Sequence, residues 1–129
     1  MDRIFVTRPF SRWMKKTGVA NSDLCEAVSE MKQGLVDAEL GRYLLKKRIG
    51  LQGRGKRGGA RIIVASKTLG HWFFLYGFNK NERSNLNKEE VRSLQELAKE
   101  LLSFSYIQLG IAHQAGFIEE IIDDKNQSH

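Results

Sequence analysis

The sequence predicts an α+β domain, a small antiparallel sheet flanked by helices, and three observations carry that expectation. From Arg42 to Lys80 the chain alternates apolar and polar residues in β-branched and aromatic runs separated by glycines. On either side of that segment the apolar residues recur at helical spacing. The 129 residues, 41% hydrophobic and 28% charged, have the composition of one globular domain, long enough to bury a core without disulfide or metal staples. A single domain over 1–129 is therefore expected, with the residues after about 123 disordered.

Ile4 to Thr7 reads as a short strand. Pro9 suits the first turn of a helix that carries Phe10, Trp13 and Met14 on one face and stops at Thr17-Gly18. Asn21 or Ser22 is placed to cap a second helix whose Leu24, Ala27, Val28 and Met31 share a face, with Gly34 as its exit. Three strands follow as an antiparallel meander, Tyr43 to Ile49, Ala60 to Ser66 and His71 to Asn79. The last has apolar residues on both alternating sets, Phe73 and Leu75 against Trp72, Phe74 and Phe78, which predicts a central strand covered on both faces. Asn87-Lys-Glu-Glu90 matches a capping box, with Leu86 and Val91 as the hydrophobic staple, ahead of Leu94, Leu97, Ala98, Leu101 and Leu102. A further helical turn and a final strand around Phe117 to Ile122 complete the chain.

Charge is segregated along the sequence. Between Glu39 and Glu82 there is no acidic residue, yet Arg42, Lys46, Lys47, Arg48, Arg54, Lys56, Arg57, Arg61, Lys67 and Lys80 all fall there. Removing those ten from the 21 Lys and Arg leaves 11 against 15 Asp and Glu, so the remainder is net −4 in a chain of net +6. A cationic sheet segment makes nucleic acid the leading partner. No run reaches the roughly 18 apolar residues of a membrane span. The N-terminus enters a strand-like run with no signal region, so a cytoplasmic location without membrane association is expected. The lone Cys25, on the apolar side of its helix, reads as a buried inert thiol.

Two glycine motifs invite a nucleotide-binding reading and fail it. Gly50 to Arg57 nearly satisfies the P-loop pattern, and Gly53-Arg-Gly55-Lys-Arg-Gly58 satisfies GxGxxG. Both motifs place phosphate on the helix that follows, whereas Ala60-Arg-Ile-Ile-Val-Ala-Ser alternates as a strand, and Arg57 stands where a magnesium-binding Ser or Thr belongs. The glycines serve instead to project Arg54, Lys56 and Arg57 from a tight bend open to a bulky polyanion.

LLKKRIGLQGRGKRGGARIIVA, followed by WFFLYGFNKNERSNLNKEEVRSLQELA, resembles the RelE/HigB-type toxins of bacterial toxin–antitoxin modules, through the GxGKxGGxR turn-strand and the later FxKNExxxL. The resemblance covers about Arg42 to Leu102. It implies a RelE-like microbial ribonuclease-type fold, endoribonuclease action on mRNA being translated on the ribosome, and a neutralising antitoxin, expected to be a helix-turn-helix protein. Metal-independent RNA cleavage uses the 2′-hydroxyl as nucleophile and asks the protein to deprotonate it, to stabilise charge at phosphorus and to protonate the leaving 5′-oxygen.

Arg61 matches the family's strand arginine and is expected to hold the scissile phosphate through its two-pronged guanidinium. Lys56, Arg57 and Lys80, the last matching the family's KNE, are candidates for acid–base assistance or phosphate contact. Lys46, Lys47, Arg48 and Arg54 are expected to grip RNA backbone. Tyr76 shares an alternating set with Lys80 and reads either as a base-stacking residue or as a core tyrosine with a satisfied hydroxyl. His71 reads as a strand-edge residue rather than a base, and His113 and His129 have no partner at metal-ligand spacing, so no metal or cofactor is expected. The family often carries a functional aromatic or histidine near the C-terminus, but Phe117-Ile-Glu-Glu-Ile-Ile-Asp-Asp supplies neither. That acidic end reads as a strand beside the active face or a shield over the basic groove. Two other function classes use the same cations: a non-catalytic nucleic-acid-binding module, and a protein-interaction domain meeting an acidic partner.

Overall fold

The computed structural model describes residues 2–51, 55–67 and 70–122, and at 55–58 the backbone alone. Strand β1 (Arg3–Thr7) runs directly into helix α1 (Arg8–Thr17). Thr7 makes that junction: its hydroxyl oxygen accepts the Phe10 N–H at 3.4 Å, and its O–H donates to the Leu75 carbonyl at 3.2 Å. One buried residue thus caps the helix and ties it to the middle of the sheet. Gly18 ends α1 in the left-handed region at φ 80°. Helix α2 (Asn21–Lys32) is capped by neither Asn21 nor Ser22, because Ala20 takes the N-cap position. Alanine has no acceptor to offer, and the Asp23 carboxylate supplies the one side-chain bond there, accepting the Ala20 N–H at 2.8 Å.

After α2 come β2 (Ala38–Glu39), β3 (Leu44–Leu51), β4 (Gly55–Ala65), β5 (His71–Asn79), α3 (Lys88–Leu102), α4 (Tyr106–Gln114) and β6 (Ile118–Ile121). They form one six-stranded sheet in the order β2-β3-β4-β5-β1-β6, antiparallel except where β1 lies parallel to β5. The meander β3-β4-β5 and the central place of β5 are as the sequence predicts. Two features differ. The two-residue β2 is too short to leave a periodic signal, and β4 starts at Gly55, five residues before the expected Ala60. Gly50 is therefore part of β3, Gly55, Gly58 and Gly59 are part of β4, and Gly55 already pairs with Leu51.

The sheet carries a core on each face. On one side α1 and α2 bury Ile4, Val6, Phe10, Leu24, Val28, Ile62, Val64, Trp72 and Phe74, with Cys25 half-buried at its margin. On the other, α3 and α4 cover Phe5, Leu44, Ile63, Ala65, Phe73, Leu75 and Leu101. Strand β5 serves both, but not by simple alternation. The β4–β5 register shifts between Ile63 and Val64, so that Ile63 faces Tyr76 while Val64 faces Phe74, leaving Leu75 as an extra residue. As a result Trp72 and Phe74 lie in the first core, whereas Phe78 and Tyr76 lie in the second, contrary to the single alternating set the sequence suggested. At Gly77 the Trp13 ring approaches so closely that a Cβ would stand 2.5 Å from it, which is why that position of β5 carries no side chain.

Candidate nucleic-acid interface

Strand pairing determines which cations meet. Arg48 on β3 pairs with Arg61 on β4, and Arg61 pairs with Phe78 on β5. One step away, Lys46 pairs with Ile63 and Ile63 with Tyr76. Since Ile63 and Phe78 belong to the core under α3 and α4, alternation puts Lys46, Arg48, Arg61 and Tyr76 on that same face. Directly opposed residues of an antiparallel pair have Cβ atoms about 5 Å apart, so Arg48 and Arg61 are immediate neighbours.

Two like charges side by side repel, and an anion is what relieves them. The Asp37 carboxylate does part of this: its Oδ1 accepts the Arg48 Nε–H at 3.1 Å, and its backbone N–H donates to the Lys46 carbonyl at 2.9 Å. Partial burial lowers the pKa of Arg61 from its ordinary value; Asp37 opposes that shift and Arg48 adds to it. Arg61 remains a cation at neutral pH, held where a charge is less well solvated than at the open surface. It donates to the Ala60 carbonyl at 3.4 Å.

The other expected site residues divide. Lys80, the first residue past β5, is exposed, and its N–H donates to the Gly59 carbonyl at 3.2 Å, which sets it at the same end of β4 as Arg61. Tyr76 is half-buried against the second core and borders a hollow of about 360 Å³ shared with Leu86, Asn87, Glu89 and Leu94. Lys47 does not join this surface. It is buried on the opposite face, and its Nζ meets Glu30 Oε1 of α2 at 2.7 Å. Adjacent strand residues point to opposite sides, so the run Lys46-Lys47-Arg48 is split by the sheet. Arg54 and the side chains of Lys56 and Arg57 lie outside the described residues. His71 is packed among Phe5, Phe73 and Tyr106 at the far end of β5.

The sequence reading missed two residues. Asp37 falls just outside the acid-free window and so escaped attention. Arg83, in the turn after β5, donates from Nη1 to Glu90 Oε2 at 2.8 Å and lies with its guanidinium 5.6 Å from the centre of the Phe78 ring. It also approaches the Tyr76 hydroxyl at 3.5 Å. Glu90 is the capping-box residue of α3, so Arg83 fixes the start of that helix against Tyr76 and Phe78. The one sequence signal for it was the capping box itself.

The described part of the acidic end is not beside this surface, and Asp123 and Asp124 lie outside the described residues. Strand β6 pairs with β1 at the opposite edge, three strands from β4, or about 14 Å at ordinary strand spacing. Its Glu120 instead takes Arg3 through two bonds of 2.9 and 3.0 Å. Among the described residues no helix is long and apolar enough to cross a membrane.

A mostly antiparallel sheet with a helix pair on each face is consistent with a RelE-like α+β fold. The model of the RelE toxin of the RelE/RelB toxin–antitoxin system matches residues 2–121. The chain belongs to the RelE toxin family, which makes it the toxin of a toxin–antitoxin module and gives it an antitoxin as partner. No curated protein matches it.

Proposed function

We propose that the protein is an mRNA interferase, an endoribonuclease that cuts mRNA undergoing translation on the ribosome and so arrests translation and growth. The observation that carries this reading is the cross-strand pair Arg48 and Arg61 on β3 and β4, in a chain of the RelE family. Arg61 holds the scissile phosphate, since its fork matches two phosphate oxygens. The 2′-oxygen forms the new bond to phosphorus as its proton passes to a base, and the P–O5′ bond breaks as the leaving oxygen gains a proton, giving a cyclic phosphate and a free 5′-hydroxyl. Lys80 and Lys56 are the groups proposed for proton transfer or phosphate contact, and Arg57 for the extra charge at phosphorus. Lys46, Arg48 and Arg54 grip the RNA backbone, and Tyr76 stacks on a base. Lys47, buried against Glu30, has no part in this scheme.

A second reading, a non-catalytic nucleic-acid-binding module, is favoured by one observation. The two side chains that the pairing brings together are both arginines, which hold phosphate but do not exchange protons at neutral pH. Controlled expression with mapping of transcript ends separates the two. Discrete new ends inside translated reading frames are expected for the wild type, and Arg61→Ala should reduce them by about a hundredfold while RNA affinity falls by no more than about tenfold. An absence of new ends, or ends indifferent to Arg61, overturns the nuclease reading and leaves the binding one.

A further inference from the structure

We propose that Asp37 is a positioning residue, whose carboxylate, on the β2 side of β3, fixes Arg48 in its place opposite Arg61 so that the two guanidiniums act as one receptor for a single phosphodiester. The inference rests on the reading that this face takes RNA phosphate, and it adds an acidic member to a site otherwise defined by cations.

Arg48 and Arg61 occupy directly opposed positions on β3 and β4, where like charges push each other apart and long side chains are free to splay. A splayed pair binds two phosphates weakly or one phosphate with a single arm. Asp37 removes that freedom for Arg48. The bond from Nε to Oδ1 at 3.1 Å fixes the inner edge of the guanidinium and engages neither terminal nitrogen, leaving both to face a ligand. The carboxylate is itself placed by its own main chain, whose N–H is bonded to the Lys46 carbonyl two residues from Arg48. Its negative charge also reaches Arg61 and opposes the effects of burial and of Arg48 there. Anchoring of this kind lowers the ordering cost when phosphate binds.

The sign of the change on removing Asp37 separates a charge effect from a positioning one. If Asp37 acted only as a charge, removing it from a cationic surface would strengthen the binding of any polyanion. If it positions Arg48, its removal weakens binding even though the surface becomes more positive. The test uses the full chain and a 2′-deoxy dodecanucleotide, which lacks the 2′-hydroxyl needed for cleavage. Affinity is measured over a range of salt for the wild type, Asp37→Asn, Asp37→Ala, Asp37→Glu, Arg48→Ala and the double variant Asp37→Ala with Arg48→Ala. Asp37→Asn is close to isosteric and guards against a failure to fold.

Loss of Asp37 is expected to weaken binding by about tenfold and to reduce the slope of log affinity against log salt by about 0.7, the amount for one lost contact to a single strand. Asp37→Glu should restore much of the loss, and the double variant should be no weaker than Arg48→Ala alone. Tighter binding in Asp37→Asn or Asp37→Ala, or additive losses in the double variant, overturns the positioning role and leaves the phosphate-binding face intact. A wild type with no salt-dependent affinity overturns both.

Discussion

The run Lys46-Lys47-Arg48 shows how much one residue of register decides. Read as a linear cluster it promises three phosphate contacts. On a strand it delivers two cations to one face and one to the other, where Lys47 is buried with its Nζ 2.7 Å from Glu30. The charge of Lys47 is thus used to fasten α2 to β3. Lys47→Ala removes a buried side chain together with its 2.7 Å ion pair to Glu30, and should cost about 3 kcal/mol in urea unfolding while changing oligonucleotide affinity less than about twofold. Lys46→Ala should do the reverse, staying within about 0.5 kcal/mol of wild-type stability while binding several-fold more weakly. Matching losses of stability and affinity in both variants would contradict this division. The period of two was available in the sequence and would have separated Lys47 from its neighbours. Nothing there marked Asp37, because its role depends on β2, which is two residues long.

At the scale of elements, legibility followed the strength of local signals. The capping box at Asn87 and Glu90 specified the start of α3 correctly, and the His71–Asn79 strand was bounded as expected. The extra residue in β5 was invisible, since Trp72, Phe74, Tyr76 and Phe78 alternate without interruption in sequence and only the pairing with β4 reveals the shift. That shift is what turns Tyr76 and Phe78 toward Arg83 and the start of α3. There the Arg83 guanidinium, with the Asn87 N–H, holds the Glu90 carboxyl down at about 2 against an ordinary value of 4.5. A carboxyl whose folded value is depressed stabilises the protein above its unfolded value and loses that contribution as pH falls toward the folded one. The wild type should therefore unfold at higher urea than Glu90→Gln at pH 6, with the difference shrinking between pH 4.5 and about 2. A difference that stays constant through that window would mean that the charge of Glu90 does not hold the junction together.

Across the whole molecule, the cations of the described residues do not gather into one pocket. Among the described residues, Lys47 faces α2, and Arg42 lies 4.0 Å from Glu96. Lys67 lies over the Tyr43 ring at 5.7 Å, beyond the last residue of β4. Arg48 and Arg61 meet, with Lys46 one step along the same face and Lys80 at the same end of β4. Lys67 is six residues from Arg61, about 20 Å along an extended strand, and Arg42 is equally far in sequence from Arg48. These distances exceed the Debye length of about 8 Å at 0.15 M salt, but not that of about 30 Å at 0.01 M. Arg42 and Lys67 therefore contribute to the field that draws a polyanion in, whereas Arg48 and Arg61 contribute to the contact that keeps it. Reversing both outer charges, Arg42→Glu with Lys67→Glu, should slow association several-fold near 0.01 M salt and change affinity less than about twofold near 0.15 M, by stopped-flow and equilibrium titration of a labelled oligonucleotide. Arg48→Ala and Arg61→Ala should weaken binding at both salt concentrations, chiefly through faster dissociation. Equal losses from the outer and inner pairs at 0.15 M would show that the RNA path runs the length of the β3–β4 hairpin, and the site would then have to be redrawn along it.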